Sequence, residues 1–293
     1  MRARVHAALF FVAFLFSANY LISKLGMREF APLSFAWLRV TGSAIILAFV
    51  ARHDPEPPLS REDRRLVAGF AILGVVLNQT LFLTGLQFTT IPVAAILITT
   101  IPVFTLGAAI LFGRERPTAY RIGGIALACG GALLVVGREG LHGTGRSLIG
   151  AVMVVANCLS FALYLVLSKP AMLRLSARRV VSWMFTVGSV AMLPIAAWPL
   201  AHENWSTISS HAWLALFLVI LGPSVAAYLL NAWALRYADS SLVAAYTYVQ
   251  PVLATLLGAM FLGEPVHAVL FVAAVMIFAG VWLAGRKMAD AAV

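Results

Sequence analysis

The chain has 293 residues, of which 62% are hydrophobic and 11% are charged, and its formal net charge is +10. Soluble domains carry about 45–50% apolar and roughly 25% charged residues, so the composition excludes a water-soluble globular protein. The positive charge does not indicate a nucleic-acid partner, because basic residues of membrane proteins collect in the connections on one side of the bilayer. The composition therefore predicts a protein embedded in the lipid bilayer, with no nucleic-acid partner.

Ten apolar runs are long enough to cross a hydrocarbon core of about 30 Å, which takes about 20 helical residues. The first run follows two arginines and continues beyond the small residues at which a signal peptide would be cleaved, so we interpret it as a retained helix. The predicted spans are 6–24, 33–51, 66–87, 92–113, 118–137, 147–168, 179–200, 211–235, 241–262 and 266–285. The sequence thus predicts an all-α membrane protein of ten transmembrane helices.

The distribution of Lys and Arg among the connections predicts the orientation of these helices. Sixteen basic residues lie at the two termini and in alternate connections, whereas the other connections hold only Lys24, Arg28, Arg138 and Arg146. Connections rich in Lys and Arg stay in the cytoplasm. Both termini are therefore predicted to be cytoplasmic.

The two halves of the chain carry equivalent residues at a nearly constant spacing. The pairs are Pro102 with Pro251 and Glu115 with Glu264, both at a shift of 149, and Lys24 with Lys169 at a shift of 145. Each glutamate follows its proline by thirteen residues and comes just after a glycine. This spacing predicts two repeats, residues 1–140 and 141–293.

Each repeat holds five spans, an odd number, so the second repeat must enter the membrane with the opposite polarity. Inverted repeats are a recurrent architecture of secondary transporters, in which the substrate site lies between the repeats near the midplane. A duplicated scaffold or a membrane-embedded enzyme is the alternative, but the sequence shows no catalytic cluster at either interface. The pattern favours a transporter and predicts that the protein is not an enzyme.

Several motifs resemble the EamA repeat: the segment 32–39 (Pro-Leu-Ser-Phe-Ala-Trp-Leu-Arg), the mid-span prolines, the Gly/Glu span endings and the glycine-rich fifth span. Over almost its whole length the chain is similar to ten-helix members of the drug/metabolite transporter superfamily. Bacterial exporters of aromatic and other neutral amino acids (YddG-like) are nearest in length and pattern. The resemblance implies a monomer in the bacterial inner (plasma) membrane that carries a small-molecule substrate.

No Asp, Glu or His lies at the middle of a predicted span, although proton-coupled pumps commonly place such a relay inside the membrane. Walker, hydrolase and metal-binding signatures are missing as well, so the sequence predicts no cofactor and no metal. We expect Glu115 and Glu264 to cap or pair at helix termini. Facilitated or indirectly coupled transport fits this pattern better than proton antiport.

Arg39 is the only Lys or Arg that lies more than one helical turn inside a predicted span. Charge at membrane depth is costly and usually functional, so one interpretation is that Arg39 attracts a substrate carboxylate. The alternative is that its side chain snorkels to the outer interface or pairs with backbone carbonyls.

Polar and aromatic residues near the span midpoints predict a polar cavity, which mid-span amides can line because they must find partners away from lipid. The alternative is that such residues hold neighbouring helices together. The candidate substrate-binding residues are Asn19, Arg39, Asn78, Gln79, Phe82, Thr99, Tyr164, Trp183, Tyr228, Asn231, Tyr246, Tyr248 and Gln250. Pro102 and Pro251 are the candidate hinges, because a mid-helix proline frees a carbonyl and kinks the helix.

Together these features predict a transporter that exports a small neutral metabolite, or facilitates its passage, by alternating access. Amino acids are the leading substrate class by resemblance. A nucleotide-sugar, sugar-phosphate or drug carrier of the same superfamily is the alternative, although a carrier of phosphorylated substrates would need several inward basic residues where the sequence supplies one. A membrane enzyme or a lipid-handling scaffold is the further alternative.

Overall fold

The structure is a computed structural model that describes residues 2–114, 116–142, 144–238 and 240–285. These residues form ten helical elements and, within those ranges, no strand. The elements are α1 (Arg2–Gly26), α2 (Pro32–Arg52), α3 (Arg61–Phe88), α4 (Ile91–Leu111), α5 (Ala119–His142), α6 (Gly145–Arg174), α7 (Ala177–Ala201), α8 (Ser210–Tyr237), α9 (Ser240–Ala245, Tyr246–Tyr248 and Val249–Leu262) and α10 (Ala268–Gly285).

Within the described ranges, nine helices are long and apolar enough to cross a membrane, and a shorter apolar stretch lies in α10. The all-α, multi-pass membrane architecture predicted from the sequence is therefore confirmed. Short connections place successive helix ends alternately at two ends of the bundle. We call them the Lys24 end, where α1 ends, and the Lys169 end, where α6 ends.

Local sequence signals set the helix boundaries. Ser60 caps α3, where its hydroxyl accepts a hydrogen bond from the backbone N–H of Asp63 at 3.1 Å, which is why α3 begins five residues before the predicted span. Thr90 caps α4 in the same way. Glycines with left-handed backbone follow α4 and α9: Gly113 with φ 67° and Gly263 with φ 64°.

Four helices are irregular, and they form two equivalent pairs. A π-helical segment interrupts α3 at Ile72–Leu77, and another interrupts α8 at Ile220–Ala226, where Pro223 prevents regular α-helical bonding. The pair α4 and α9 is also broken, α4 by a turn at Thr99 and Thr100 and α9 by a 3-10 segment. Irregular backbone at membrane depth is tolerated where protein surrounds it or where it lines a cavity.

Helices of the two halves interleave. Helix α1 packs against α8 and α9 of the second half, and α6 packs correspondingly against α3 and α4 of the first. Helices α2 and α7 pack against each other, as do α5 and α10. Exchanging the halves leaves this set of contacts unchanged, a pattern compatible with the predicted inverted repeat.

Small residues allow a close approach of α5 and α10. A Cβ atom added at Gly280 would lie 2.5 Å from the carbonyl oxygen of Gly124 and 2.8 Å from the backbone nitrogen of Ala128. Close backbone contact through glycine is a common way to hold transmembrane helices together. Helices α5 and α10 thus form one tightly packed pair.

Candidate functional site

A cavity with an empty volume of about 690 Å³, part of it open to solvent, lies between the two halves. Seven helices line it: α1, α2, α3, α4, α6, α8 and α9. The lining residues of α1 run from Leu9 to Tyr20. The cavity thus extends from the level of Tyr20 toward the Lys169 end, over roughly 16 Å of helix.

Nine of the thirteen candidate residues line this cavity. They are Asn19, Arg39, Asn78, Gln79, Phe82, Tyr228, Asn231, Tyr246 and Gln250. These residues come from α1, α2, α3, α8 and α9, so both halves contribute.

The other four candidates lie elsewhere. The Thr99 hydroxyl is turned back to the carbonyl oxygen of Ile96 at 2.5 Å. The Tyr164 ring lies against Gly74, where an added Cβ would be 2.8 Å away. Trp183 donates to the carbonyl oxygen of Arg64 at 3.0 Å near the Lys169 end, and the Tyr248 ring packs on Phe278 of α10. Thr99 and Tyr248 lie at the breaks of α4 and α9, where regular helical spacing does not predict the direction of a side chain.

Tyr20 and Thr247 line the cavity although we did not predict them as site residues. Tyr20 follows Asn19 in an apolar run near a span end, where an aromatic residue usually marks the membrane interface. Thr247 lies within the 3-10 segment of α9, which carries no helical periodicity. For both Tyr20 and Thr247, the only sequence feature that indicated a place in the site was a predicted site residue next to them in the chain.

The proposed hinges sit where helices restart. Pro102 is in the first turn of the second segment of α4 (Ile101–Leu111), and Pro251 is near the start of the last segment of α9 (Val249–Leu262). Their position beside the cavity is compatible with a hinge, and that role stays a prediction.

Arg39 is 1% exposed and does not snorkel. Its Nε donates to Ser224 Oγ at 2.6 Å, and its Nη1 donates to Asn19 Oδ1 at 2.9 Å. Within the described part of the chain no carboxylate lies within ion-pair distance of it. The guanidinium is thus a buried cation that faces the cavity and is held by neutral groups from α1 and α8.

A network of amides and one phenol joins the halves beside Arg39. The Tyr228 hydroxyl donates to the carbonyl oxygen of Gly74 at 2.8 Å, within the π segment of α3, and accepts from Gln79 Nε2 at 3.2 Å. Asn157 Nδ2 of α6 donates to the carbonyl oxygen of Asn78 at 2.8 Å. Part of the polar set therefore also holds helices together, as the alternative interpretation predicted.

The cavity is closed at the Lys24 end by two layers. In the inner layer the Tyr20 hydroxyl donates to Gln250 Oε1 at 3.4 Å, and its ring meets Phe82 edge-on with centroids 5.3 Å apart. Beyond it Lys24 and Glu264 form an ion pair.

The ion pair also ties down the connection between α3 and α4. Lys24 Nζ donates to the carbonyl oxygen of Thr89 at 2.8 Å, and Glu264 Oε2 accepts from the backbone N–H of Ile91 at 2.6 Å. Glu264 therefore pairs at a helix N-terminus, as the sequence predicted, whereas Glu115 lies outside the described residues. We call these four residues the Lys24 clamp.

An equivalent contact exists at the Lys169 end. Lys169 Nζ donates to the carbonyl oxygens of Leu235 and Ala238, both at 2.5 Å. Ala238 follows Thr89 by 149 positions, so each lysine bonds the corresponding backbone carbonyl. Both ends of the bundle thus use a lysine to hold the connection after the π-containing helix.

Glu29, in the connection between α1 and α2, ties that connection to α8. Its Oε2 accepts from the backbone N–H of Ser209 at 2.5 Å and its Oε1 from the Ser209 hydroxyl at 2.8 Å. The backbone hydrogen bond, followed by the hydroxyl bond, lowers the pKa of Glu29 below its ordinary value, because both stabilise the ionised carboxylate. The contact therefore strengthens the Lys24 end when Glu29 is ionised.

Comparison with known families decides the broad identity. The model of the EamA-like transporter family matches residues 4–137 and again residues 148–286. The chain belongs to this family. It is a multi-pass membrane transporter, and the drug/metabolite transporter assignment made from sequence is confirmed at this level.

Two relatives of this EamA-family chain, one archaeal and one bacterial, carry transporter names. It is 25% identical to an "Uncharacterized transporter" of Archaeoglobus fulgidus, over 98% of this chain and 99% of that one. It is 27% identical to the "Uncharacterized inner membrane transporter YedA" of Escherichia coli, over 93% and 88% of the two chains. A WAT1-related protein of Arabidopsis thaliana is 22% identical, over 96% and 84%. A protein crystal structure has the same fold, with a TM-score of 0.68, 97% coverage of both chains and 19% identity.

Proposed function

We propose that this transporter moves small neutral metabolites, with amino acids as the leading class, by alternating access between its two repeats. The observation that carries the proposal is the position of the cavity, which side chains of both halves line at mid-depth. Secondary transporters with inverted repeats bind their substrates at such an interface.

The closed Lys24 end supports an alternating mechanism. The cavity stops at Tyr20 and the Lys24 clamp, whereas on α9 it reaches Val243 and Tyr246 toward the Lys169 end. With both termini cytoplasmic in a bacterial inner membrane, as we propose, this arrangement faces inward. Substrate bound from the cytoplasm would leave when the Lys24 end opens.

Purified protein in liposomes tests the proposal. Efflux of radiolabelled amino acids should exceed that of protein-free liposomes, and Asn78→Ala, Gln79→Ala, Tyr228→Phe and Asn231→Ala should each reduce it while the protein still folds. Tyr237→Phe on the same helix as Tyr228 is the matched control, because Tyr237 is 48% exposed and away from the cavity. Normal efflux in all four cavity variants would place the site elsewhere.

We further propose that net flux follows the substrate gradient without a proton gradient. In the described residues the carboxylates and histidines lie near helix ends, so no mid-membrane proton carrier is present among them. Accumulation against a gradient, driven by an imposed pH difference alone and lost in Glu264→Gln, would contradict this and assign coupling to the Lys24 clamp.

The cavity lining disfavours the main alternative function, a sugar-phosphate carrier, because it offers too few basic residues. Among the described lining residues Arg39 is the only charged one. Substrates with two or more negative charges would lack compensating cations there, and burying such charges is costly. Sugar phosphates should therefore fail to inhibit amino-acid efflux.

A further inference from the structure

We infer that the cavity recognises both charged ends of a zwitterion: Arg39 binds the carboxylate, and the amide oxygens of Gln79 and Asn231 bind the ammonium group. The inference rests on the proposed function and deepens it. It names the substrate class as α-amino acids whose carboxylate and ammonium groups are both free and whose side chain is uncharged.

The cationic pole is incomplete without a ligand. Among the described residues, the Arg39 guanidinium donates from two nitrogen atoms, to the side chains of Ser224 and Asn19, and both acceptors are neutral. A guanidinium has five N–H donors in a planar fork that matches a carboxylate. An anion entering the cavity would supply the counter-charge that the described residues do not.

The second pole consists of amide oxygens that lack donors. Gln79 and Asn231 are 3% and 6% exposed, and neither Gln79 Oε1 nor Asn231 Oδ1 has a hydrogen-bond partner among the described residues. The Gln79 amide nitrogen points to Asn78 Oδ1 and the Tyr228 hydroxyl, which leaves its oxygen free. A buried acceptor without a donor is destabilising, and an ammonium group brings three donors.

The residues that hold the two poles are spaced along α8 by a distance comparable to the length of an amino acid. Ser224, which bonds Arg39, precedes Tyr228, the partner of Gln79, by four residues and Asn231 by seven, or about 6 and 10 Å of helical rise. A zwitterion adds roughly 2.5 Å between its charged groups to two hydrogen bonds of about 2.9 Å, so it spans roughly 8 Å. The α8 spacing brackets this length.

The remaining lining selects the side chain. Phenyl rings from α1, α3 and α6, namely Phe16, Phe82 and Phe161, contribute apolar surface, and Ile98 and Ile101 add aliphatic surface from α4. Apolar walls with a few placed polar groups are typical of small-molecule sites. Arg39 is the only charged group among the described lining residues, so no second one is left to compensate a charged substrate side chain.

Competition in proteoliposomes tests the two poles separately. Inhibition of radiolabelled L-leucine efflux is measured with leucine, with leucinamide, which lacks the carboxylate, with N-acetylleucine, which lacks the ammonium, and with L-lysine. The same set is repeated with phenylalanine and its derivatives. We expect each modified compound to inhibit at least about tenfold more weakly than the amino acid, since hydrogen bonds to charged groups are the strong ones.

Two variants test which residue forms each pole. For each variant, the inhibition constant of a derivative is divided by that of leucine, because this ratio does not depend on how much protein folds. In Arg39→Gln the inhibition constant of leucinamide should lie within about threefold of that of leucine, whereas the inhibition constant of N-acetylleucine should remain much larger than that of leucine. In Asn231→Leu only the ratio of the N-acetylleucine and leucine inhibition constants should fall. The substitution removes an amide oxygen that has no hydrogen-bond partner among the described residues. Tyr237→Phe should change neither ratio.

The outcomes separate this inference from the proposed function. If leucine or phenylalanine crosses but its amide and N-acetyl forms inhibit equally well, the two-pole site is wrong and amino-acid transport stands. Equal ratios in Arg39→Gln and the unmodified protein would also overturn it. If no amino acid crosses, both proposals fail.

Discussion

Removing the charge of Glu264 should open the Lys24 end. In Glu264→Gln the new amide oxygen can still accept the hydrogen bond from the backbone N–H of Ile91. Lys24 also keeps its hydrogen bond to the carbonyl oxygen of Thr89. The variant therefore loses mainly the ion pair. The two side chains are 21% and 11% exposed, so water screens the pair only in part. We therefore expect a loss of about 1–2 kcal/mol from the closed state, a factor of about 5–30 in its population ratio.

Cysteine accessibility measures this change at two matched positions. Ser23 and Ser168 are both 0% exposed, one residue before Lys24 and Lys169 respectively. In a background without Cys129 and Cys158, a thiol at Ser23→Cys reacts only when the Lys24 end opens. Its labelling rate with a membrane-impermeant maleimide should therefore rise about 5–30-fold in Glu264→Gln.

The Ser168→Cys thiol is buried at the opposite end, which the Lys24 clamp does not touch, so its labelling rate should stay the same. Arg28→Gln is the control for charge alone, because Arg28 is exposed at the Lys24 end. It should leave both rates unchanged. An equal rise at the two thiols would mean general loosening, and no rise at Ser23→Cys would refute the role of the clamp.

Three further predictions concern topology, packing and pH. A cysteine beside Asn204 should be labelled from outside the cell and one beside Glu56 should not; the reverse pattern would contradict the orientation. Gly280→Ala should cost about 1–3 kcal/mol by overpacking, whereas Gly107→Ala, which has open space, should cost nothing in thermal unfolding. Because the folded-state pKa of Glu29 is lowered, its contribution is present at neutral pH and is lost as pH falls through that value. Glu29→Gln should thus lower the melting temperature at neutral pH, and the difference should vanish in acid.

The sequence predicts the helices of this protein well because lipid imposes a simple length and polarity rule. The predicted span 92–113 corresponds to Ile91–Leu111, and 266–285 corresponds to Ala268–Gly285. The spacing of the prolines and lysines also anticipates the equivalent pairs of helices.

The direction of individual side chains is harder to predict. Thr99 and Tyr248 lie at equivalent helix breaks, where the helical repeat fails, and neither lines the cavity. The contact between Lys24 and Glu264 joins residues 240 positions apart, and no local pattern encodes it. Tyr228 and Asn231, on a regular stretch of α8, share one helix face and line the cavity as predicted.

The π segments of α3 and α8 act as one-residue insertions that set the helical phase of everything after them. Each residue turns an α-helix by about 100°. Deleting Gly74 would allow a regular helix with the same hydropathy, yet it would rotate Gln79 and Phe82 away from the cavity relative to the first part of α3. A substitution that keeps the number of residues therefore preserves the direction of the cavity side chains, whereas a deletion does not. A hydropathy profile does not distinguish the two.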